Sequence, residues 1–159
     1  MFKYLDHQAD IVIFAENKSW PKVFIDGAKA VFNLMYNIDL KYKKFPLEAC
    51  LRRQANQPLA EKIKDIKIEV TAESIEGLFV EWLNELLAQK DLNHLNFFDF
   101  GVDKIEQIKG QWKLVGRAKG INPADYHGEL KTEVKAATYG SLRCSHKKNI
   151  YFCQCIVDI

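Results

Sequence analysis

Hydrophobic positions recur along this chain with two different periods. Phe24, Ala28, Val31, Phe32 and Met35 fall three or four residues apart, which predicts an amphipathic helix from about Trp20 to Tyr36. Ser19-Trp20-Pro21 opens it, with Ser19 placed to cap and proline in the first turn, where no donor is lost. A second apolar face, Leu78, Phe79, Trp82, Leu83, Leu86 and Leu87, predicts a helix over about Ile75–Gln89, capped by Ser74. Elsewhere the period is two. Ile66, Ile68 and Val70 alternate with Lys67 and Glu69, the pattern of a half-buried strand.

The remainder reads mostly as β. Residues 2–15 form a strand interrupted at the polar Asp6–Asp10 stretch. Phe97–Ile108 and Gln111–Lys119 flank a Lys109-Gly110 turn, and Ile121–Leu130 is a loop containing Asn122-Pro123 and His127-Gly128. Glu133–Tyr139 is a strand with Gly140 near a break. Leu142–Ser145 and Ile150–Val157 make a final hairpin around His146-Lys147-Lys148-Asn149. The order β, α, β, α, then a run of β predicts an α+β fold. It is expected to be one domain over 1–159, with two helices on one face of a largely antiparallel sheet. Residues 37–62, with Pro46, Pro58 and several basic side chains, are a long loop or insertion, with a short helix near Leu47–Ala55 as the alternative.

Composition narrows the classes. The chain has 159 residues, 48% of them apolar and 28% charged, enough for one buried core. No apolar run is long enough to span a bilayer. The first ten residues carry Lys3, Asp6, His7 and Asp10 and so contain no secretory core. No membrane association and a cytoplasmic location are the expectations. A net charge of +2 argues against a dedicated nucleic-acid binder. Lys41–Lys44 with Arg52-Arg53, and Arg143 with His146, Lys147 and Lys148, are locally basic. Solvated loops and hairpin tips explain them more simply than an RNA-contacting patch.

Candidate chemistry sits at the two ends. Asp6-His7-Gln8-Ala9-Asp10 runs into Ile11–Phe14, and the sequence closes on Ile156-Val157-Asp158-Ile159. If these two runs are neighbouring strands, Asp10, Asp158 and the carboxylate of Ile159 converge. Carboxylates so placed repel unless a cation or protons neutralise them, which points to a hard-cation site. The simpler reading is that Asp6 and Asp10 cap a turn and Asp158 belongs to a frayed tail. The strand-forming run Ile150–Ile159 argues against fraying. Lys135 stands in a small and β-branched strand, either facing solvent or meeting an acidic cluster or phosphate. Cys50, Cys144, Cys153 and Cys155 are expected to be reduced and buried or half-buried, without a disulfide framework. Zinc is disfavoured because Cys153 and Cys155 lie about 7 Å apart on one strand face. No phosphate loop, nucleophile elbow or His-Glu-x-x-His motif is present.

Four segments together resemble the archease family. Asp6-His7-Gln8-Ala9-Asp10 is similar to its Asp-His-Thr-Ala-Asp signature, with Gln8 in place of threonine. Trp82–Leu87 is similar to its second-helix motif. Glu133–Tyr139 is similar to its late strand motif, with Gly140 where histidine is usual. Val157-Asp158-Ile159 is similar to its ending.

The resemblance implies a small α+β accessory protein without catalytic residues of its own. Its partner would be an RtcB-type GTP-dependent RNA ligase, through which tRNA and GTP are reached. The archease would promote guanylylation and repeated turnover of that ligase in tRNA splicing or RNA repair. The resemblance also implies a divalent metal, calcium with magnesium or manganese as alternatives, held by Asp10, Asp158 and Ile159. Lys135, Asp6 and His7 would support activation. Two competitors stay open: a metal-dependent phosphoesterase acting on RNA ends, and an RNA or protein chaperone module.

Overall fold

A computed structural model of the chain describes residues 1–7, 10–36, 62–125 and 130–159, with the backbone alone for Asp6 and His7. The expectations for 37–61, including Cys50 and both flanking basic clusters there, lie outside the described residues, as does His127. The elements run β1 (Phe2–His7), β2 (Asp10–Asn17), α1 (Trp20–Met35), β3 (Lys64–Ala72), α2 (Ile75–Asn93), β4 (Asn96–Ile108), β5 (Gln111–Ile121), β6 (Ala136–Lys147) and β7 (Ile150–Asp158). A short 3₁₀ turn, Pro123–Asp125, lies between β5 and β6.

The α+β reading holds, with both helices packed on antiparallel sheet. The described strands divide between two sheets, one in the order β1-β2-β7-β6 and one in the order β3-β5-β4. The helices fill the space where the two sheets' apolar faces meet one core. The stripe expected on α1 is buried throughout, and Val23 joins it. Phe32 touches the ring of Phe100 at 5.0 Å and that of Phe97 at 5.9 Å, so α1 lies against β4. Trp82 of α2 is fully buried, and its indole N–H donates to the carbonyl of Phe24 at 3.1 Å. That bond satisfies the one polar atom of a side chain otherwise suited to a core.

Three local expectations are corrected. Residues 2–15 are two antiparallel strands, not one interrupted strand, with His7 paired to Asp10 at their close. Ser19 precedes α1 in extended conformation but makes no side-chain cap bond, whereas Ser74 accepts from the N–H of Gly77 at 3.0 Å. Glu133–Lys135 lie ahead of β6, which starts at Ala136. The second helix also runs one turn past its expected end, to Asn93. It closes on His94 in the left-handed region (φ 51°), the usual geometry of a helix stop.

The cysteine reading changes as well. Cys144 and Cys153 are directly opposed on β6 and β7, with Cα atoms 4.1 Å apart, and are joined by a disulfide. Cys155 is a free, fully buried thiol on the same face of β7. Burial pushes its pKa up to about 12. With two of the sulfurs bonded to each other and the third enclosed, these cysteines do not form a zinc set.

Candidate functional site

The two distant ends of the sequence are adjacent strands. β2 pairs antiparallel with β7 from Ile11↔Val157 to Asn17↔Tyr151. One more step of that register sets Asp10 opposite Asp158. On the other side of β7, Asp158 pairs with Ala136 of β6. Asp158 therefore closes the end of a central strand, between Asp10 and the start of β6. Asp10 is half-buried and Asp158 exposed, while Val157 beneath them is fully buried and fixes the strand end. Between β1 and β2 the backbone of His7 pairs with Asp10 and that of Asp6 with Ile11.

Lys135 joins this group from the segment ahead of β6. Its backbone N–H donates to the carbonyl of Asp158 at 2.8 Å, and its ammonium donates to the main-chain oxygen of Ile159 at 3.1 Å. Lys135 is exposed but not free on a strand face, because both ends of the residue bond the last residues of the chain, Asp158 and Ile159. Val134, 3% exposed, anchors it from the preceding position.

One residue not singled out from the sequence also shapes this corner. Asn84 of α2 donates from its amide to the carbonyl of Ala137 at 3.0 Å and accepts from the N–H of Ala137 at 2.8 Å. The available signal was a lone amide between Leu83 and Leu86 on an apolar helix face. Next along β6, the pairing jumps from Thr138↔Ile156 to Arg143↔Gln154. This bulge leaves Tyr139–Leu142 against a single residue of β7 and turns Tyr139 outward, 63% exposed. The hydroxyl of Tyr139 bonds to Glu81 at 3.2 Å. Partial loss of water around the hydroxyl, then the bond to Glu81 and its negative charge, raises the Tyr139 pKa. Ser141 in the bulge takes a left-handed φ of 51° and accepts from the side chain of Gln154 at 3.0 Å.

The donor chemistry here is all oxygen: two carboxylates and a main-chain oxygen at one strand end. Oxygen donors of this kind suit a hard cation with water completing the shell. Among the described residues no group of three or more His, Cys, Asp and Glu side chains is arranged to hold a metal. Two carboxylates thus need the oxygen of Ile159 to make a third protein donor. His94 and His146 are elsewhere: His94 ends α2, and His146 lies at the far end of β6.

Residues 2–159 match the Archease protein family (MTH1598/TM1083). The chain is 30% identical to protein archease of Methanosarcina barkeri over 158 residues, covering 99% of this chain and 95% of that one. It is 33% identical to protein archease of Pyrococcus furiosus over 142 residues, covering 89% and 86%. Its fold is similar to the solution structure of Methanobacterium thermoautotrophicum protein 1598, with a TM-score of 0.74, 25% identity, and 99% and 98% of the two chains covered. A crystal structure of an archease from Thermotoga maritima, described as a possible chaperone, shares the fold at a TM-score of 0.52 and 15% identity, over 100% and 98%. With the match spanning the whole sheet-and-helix core and both ends that form the acidic corner, the chain belongs to the archease family.

Proposed function

We propose that this protein is an accessory factor of an RtcB-type GTP-dependent RNA ligase in tRNA splicing or RNA repair. In this reading it promotes guanylylation of the ligase and repeated turnover, and joins no RNA itself. The observation that carries the reading is the corner where the β2–β7 register, one step beyond Ile11↔Val157, brings Asp10 alongside Asp158 and Lys135 is tied to Ile159. Asp10, Asp158 and the carboxylate of Ile159 would hold a divalent cation, calcium being the first choice and magnesium or manganese the alternatives. When bound, such an ion supplies positive charge for phosphate oxygens.

The chain's own residues supply the rest. β2 and β7 hold the backbones of the two carboxylate residues in fixed register, so the main chain need not rearrange when the ion arrives. Lys135 presents a second cation beside them, fixed by its backbone bond to Asp158. Together they form a small preorganised patch suited to a triphosphate held in a partner's active site. The exposed Tyr139 and Ile159 flank it and would meet the partner's surface. No described helix is long and apolar enough to cross a membrane.

The test is guanylylation of the partner ligase with GTP, followed with and without this protein. The wild-type protein should accelerate it, and Asp10→Ala or Asp158→Ala should abolish the acceleration. Undiminished activation by both variants would remove the acidic corner from the mechanism. Hydrolysis of RNA phosphate ends by the protein alone, with Mg²⁺ or Mn²⁺, would point instead to a phosphoesterase.

A further inference from the structure

The β6–β7 hairpin turns at Lys148 and Asn149, both with positive φ (49° and 62°), the conformation of a tight two-residue turn. Behind the turn, three aromatic rings gather on the helix-facing side of the sheet. His146 and Tyr151 are register partners, and their rings stack at 5.2 Å with an interplanar angle of 14°. Trp20, the first residue of α1, meets Tyr151 edge-on at 5.0 Å and His146 at 6.4 Å. Tyr151 and Trp20 are half-buried, whereas His146 is exposed. The stack is thus fixed at its inner end and open at the imidazole.

The Asp26 carboxylate near it, bonded by the side chain of Asn17 at 2.8 Å, is taken up by the N-terminal ammonium, and the lysines around the stack are unpaired among the described residues. Lys148 lies in the turn itself, Lys147 ends β6 beside it and alternates to the opposite face from His146, and Lys18 adjoins Asn17, which pairs with Tyr151. All three lysines are exposed, and none forms an ion pair among the described residues. Glu16 pairs with Phe152, and strand alternation turns that pair to the opposite face of the sheet, where Arg143 also stacks on Phe152 at 5.8 Å.

We propose that this hairpin end binds single-stranded nucleic acid. One base continues the Tyr151–His146 stack on the open face of the imidazole, and Lys18 and Lys148 hold the flanking phosphates. An aromatic platform beside mobile cations is the common means of binding a single strand without reading its sequence. An acidic protein partner would use the lysines but gain little from the stacked ring. The site is independent of the acidic corner, since it lies at the other end of β7, about 25 Å away along the strand.

The experiment is fluorescence anisotropy of a labelled, unstructured RNA of about ten nucleotides, titrated with the full chain across a salt series. Saturable binding is expected at low salt. His146→Ala should weaken it about tenfold, and His146→Phe should keep it, because the ring and not the imidazole nitrogens makes the contact. Lys18→Glu with Lys148→Glu should flatten the salt dependence by about two in slope. Ultraviolet crosslinking should place the adduct on the peptide containing His146. Asp158→Ala should bind RNA as the wild type does, which separates this site from ligase activation. Absence of saturable binding would overturn the proposal. So would equal affinity of His146→Ala, or equal affinity for a duplex of the same length, which signals adsorption by charge alone.

Discussion

Asn84 satisfies both backbone polar groups of Ala137, accepting from its N–H at 2.8 Å and donating to its carbonyl at 3.0 Å. A side-chain amide here takes the place of a neighbouring strand. β6 is an edge strand, and at Ala137 it turns one edge toward α2. Asn84 closes that edge and fixes the entry to β6 one residue after Ala136, the partner of Asp158.

Asn84→Ala is therefore expected to destabilise the protein by about 1–3 kcal/mol, since it leaves a donor and an acceptor unpaired in a half-buried seam. Urea unfolding measures this. Hydrogen exchange should localise it, with the amide of Ala137 losing protection well before the core of α2. An unchanged midpoint would mean that water replaces the amide at no cost.

Gly116 makes a different demand. A Cβ there would lie 2.6 Å from the carbonyl oxygen of Gly101 and 2.9 Å from the indole of Trp82. The first of these is backbone and cannot swing aside. Gly116→Ala should lower stability by about 1–3 kcal/mol through overpacking between β5 and Trp82. A thermal melt coinciding with that of the wild type would show that the sheet relaxes freely there.

The elements legible from sequence were those whose signal is local. The stripe Phe24, Ala28, Val31, Phe32 and Met35 marks α1 by itself, because period and burial coincide. The adjacency of β2 and β7 was reachable from two β-rich ends, each with an acid at its margin. The division into two sheets was not, since strand partners depend on contacts far apart in sequence. Asn84 was hidden for the same reason: its partner lies 53 residues on. The bulge at Tyr139–Leu142 left only Gly140 as a hint. The pairing of Cys144 with Cys153 was within reach. A two-residue turn at Lys148-Asn149 fixes the hairpin register, and that register sets the two cysteines face to face.

The Cys144–Cys153 bond should be detectable as a non-reduced intact mass lower by two hydrogens, with the cross-link mapped between the β6 and β7 peptides. Replacing both cysteines by serine should cost about 3 kcal/mol, the loop-closure contribution of a short loop. Cys155 should behave oppositely. With its pKa pushed up to about 12 by burial, almost none is thiolate at pH 8, so iodoacetamide should label it only after unfolding. Rapid native alkylation at Cys155 would contradict its enclosure.

The contact between Lys135 and Ile159 separates two roles at the acidic corner. The ammonium is a hydrogen-bond partner of the oxygen proposed as a metal ligand, at 3.1 Å. A divalent ion at the same oxygen meets a like charge, so Lys135 opposes metal binding even if it serves activation. Lys135→Met should then bind Ca²⁺ at least as tightly as the wild type, while losing stimulation of the ligase. Asp158→Asn removes a negative donor and should weaken Ca²⁺ by about tenfold or more. Extending the chain past Ile159 converts a carboxylate into an amide and should weaken it in the same direction, with every side chain intact. Isothermal titration calorimetry of these variants, beside a guanylylation assay, gives both readouts. Loss of Ca²⁺ affinity in Lys135→Met would assign the lysine to holding the site together. Retained affinity in the extended chain would take the Ile159 carboxylate out of the ligand set.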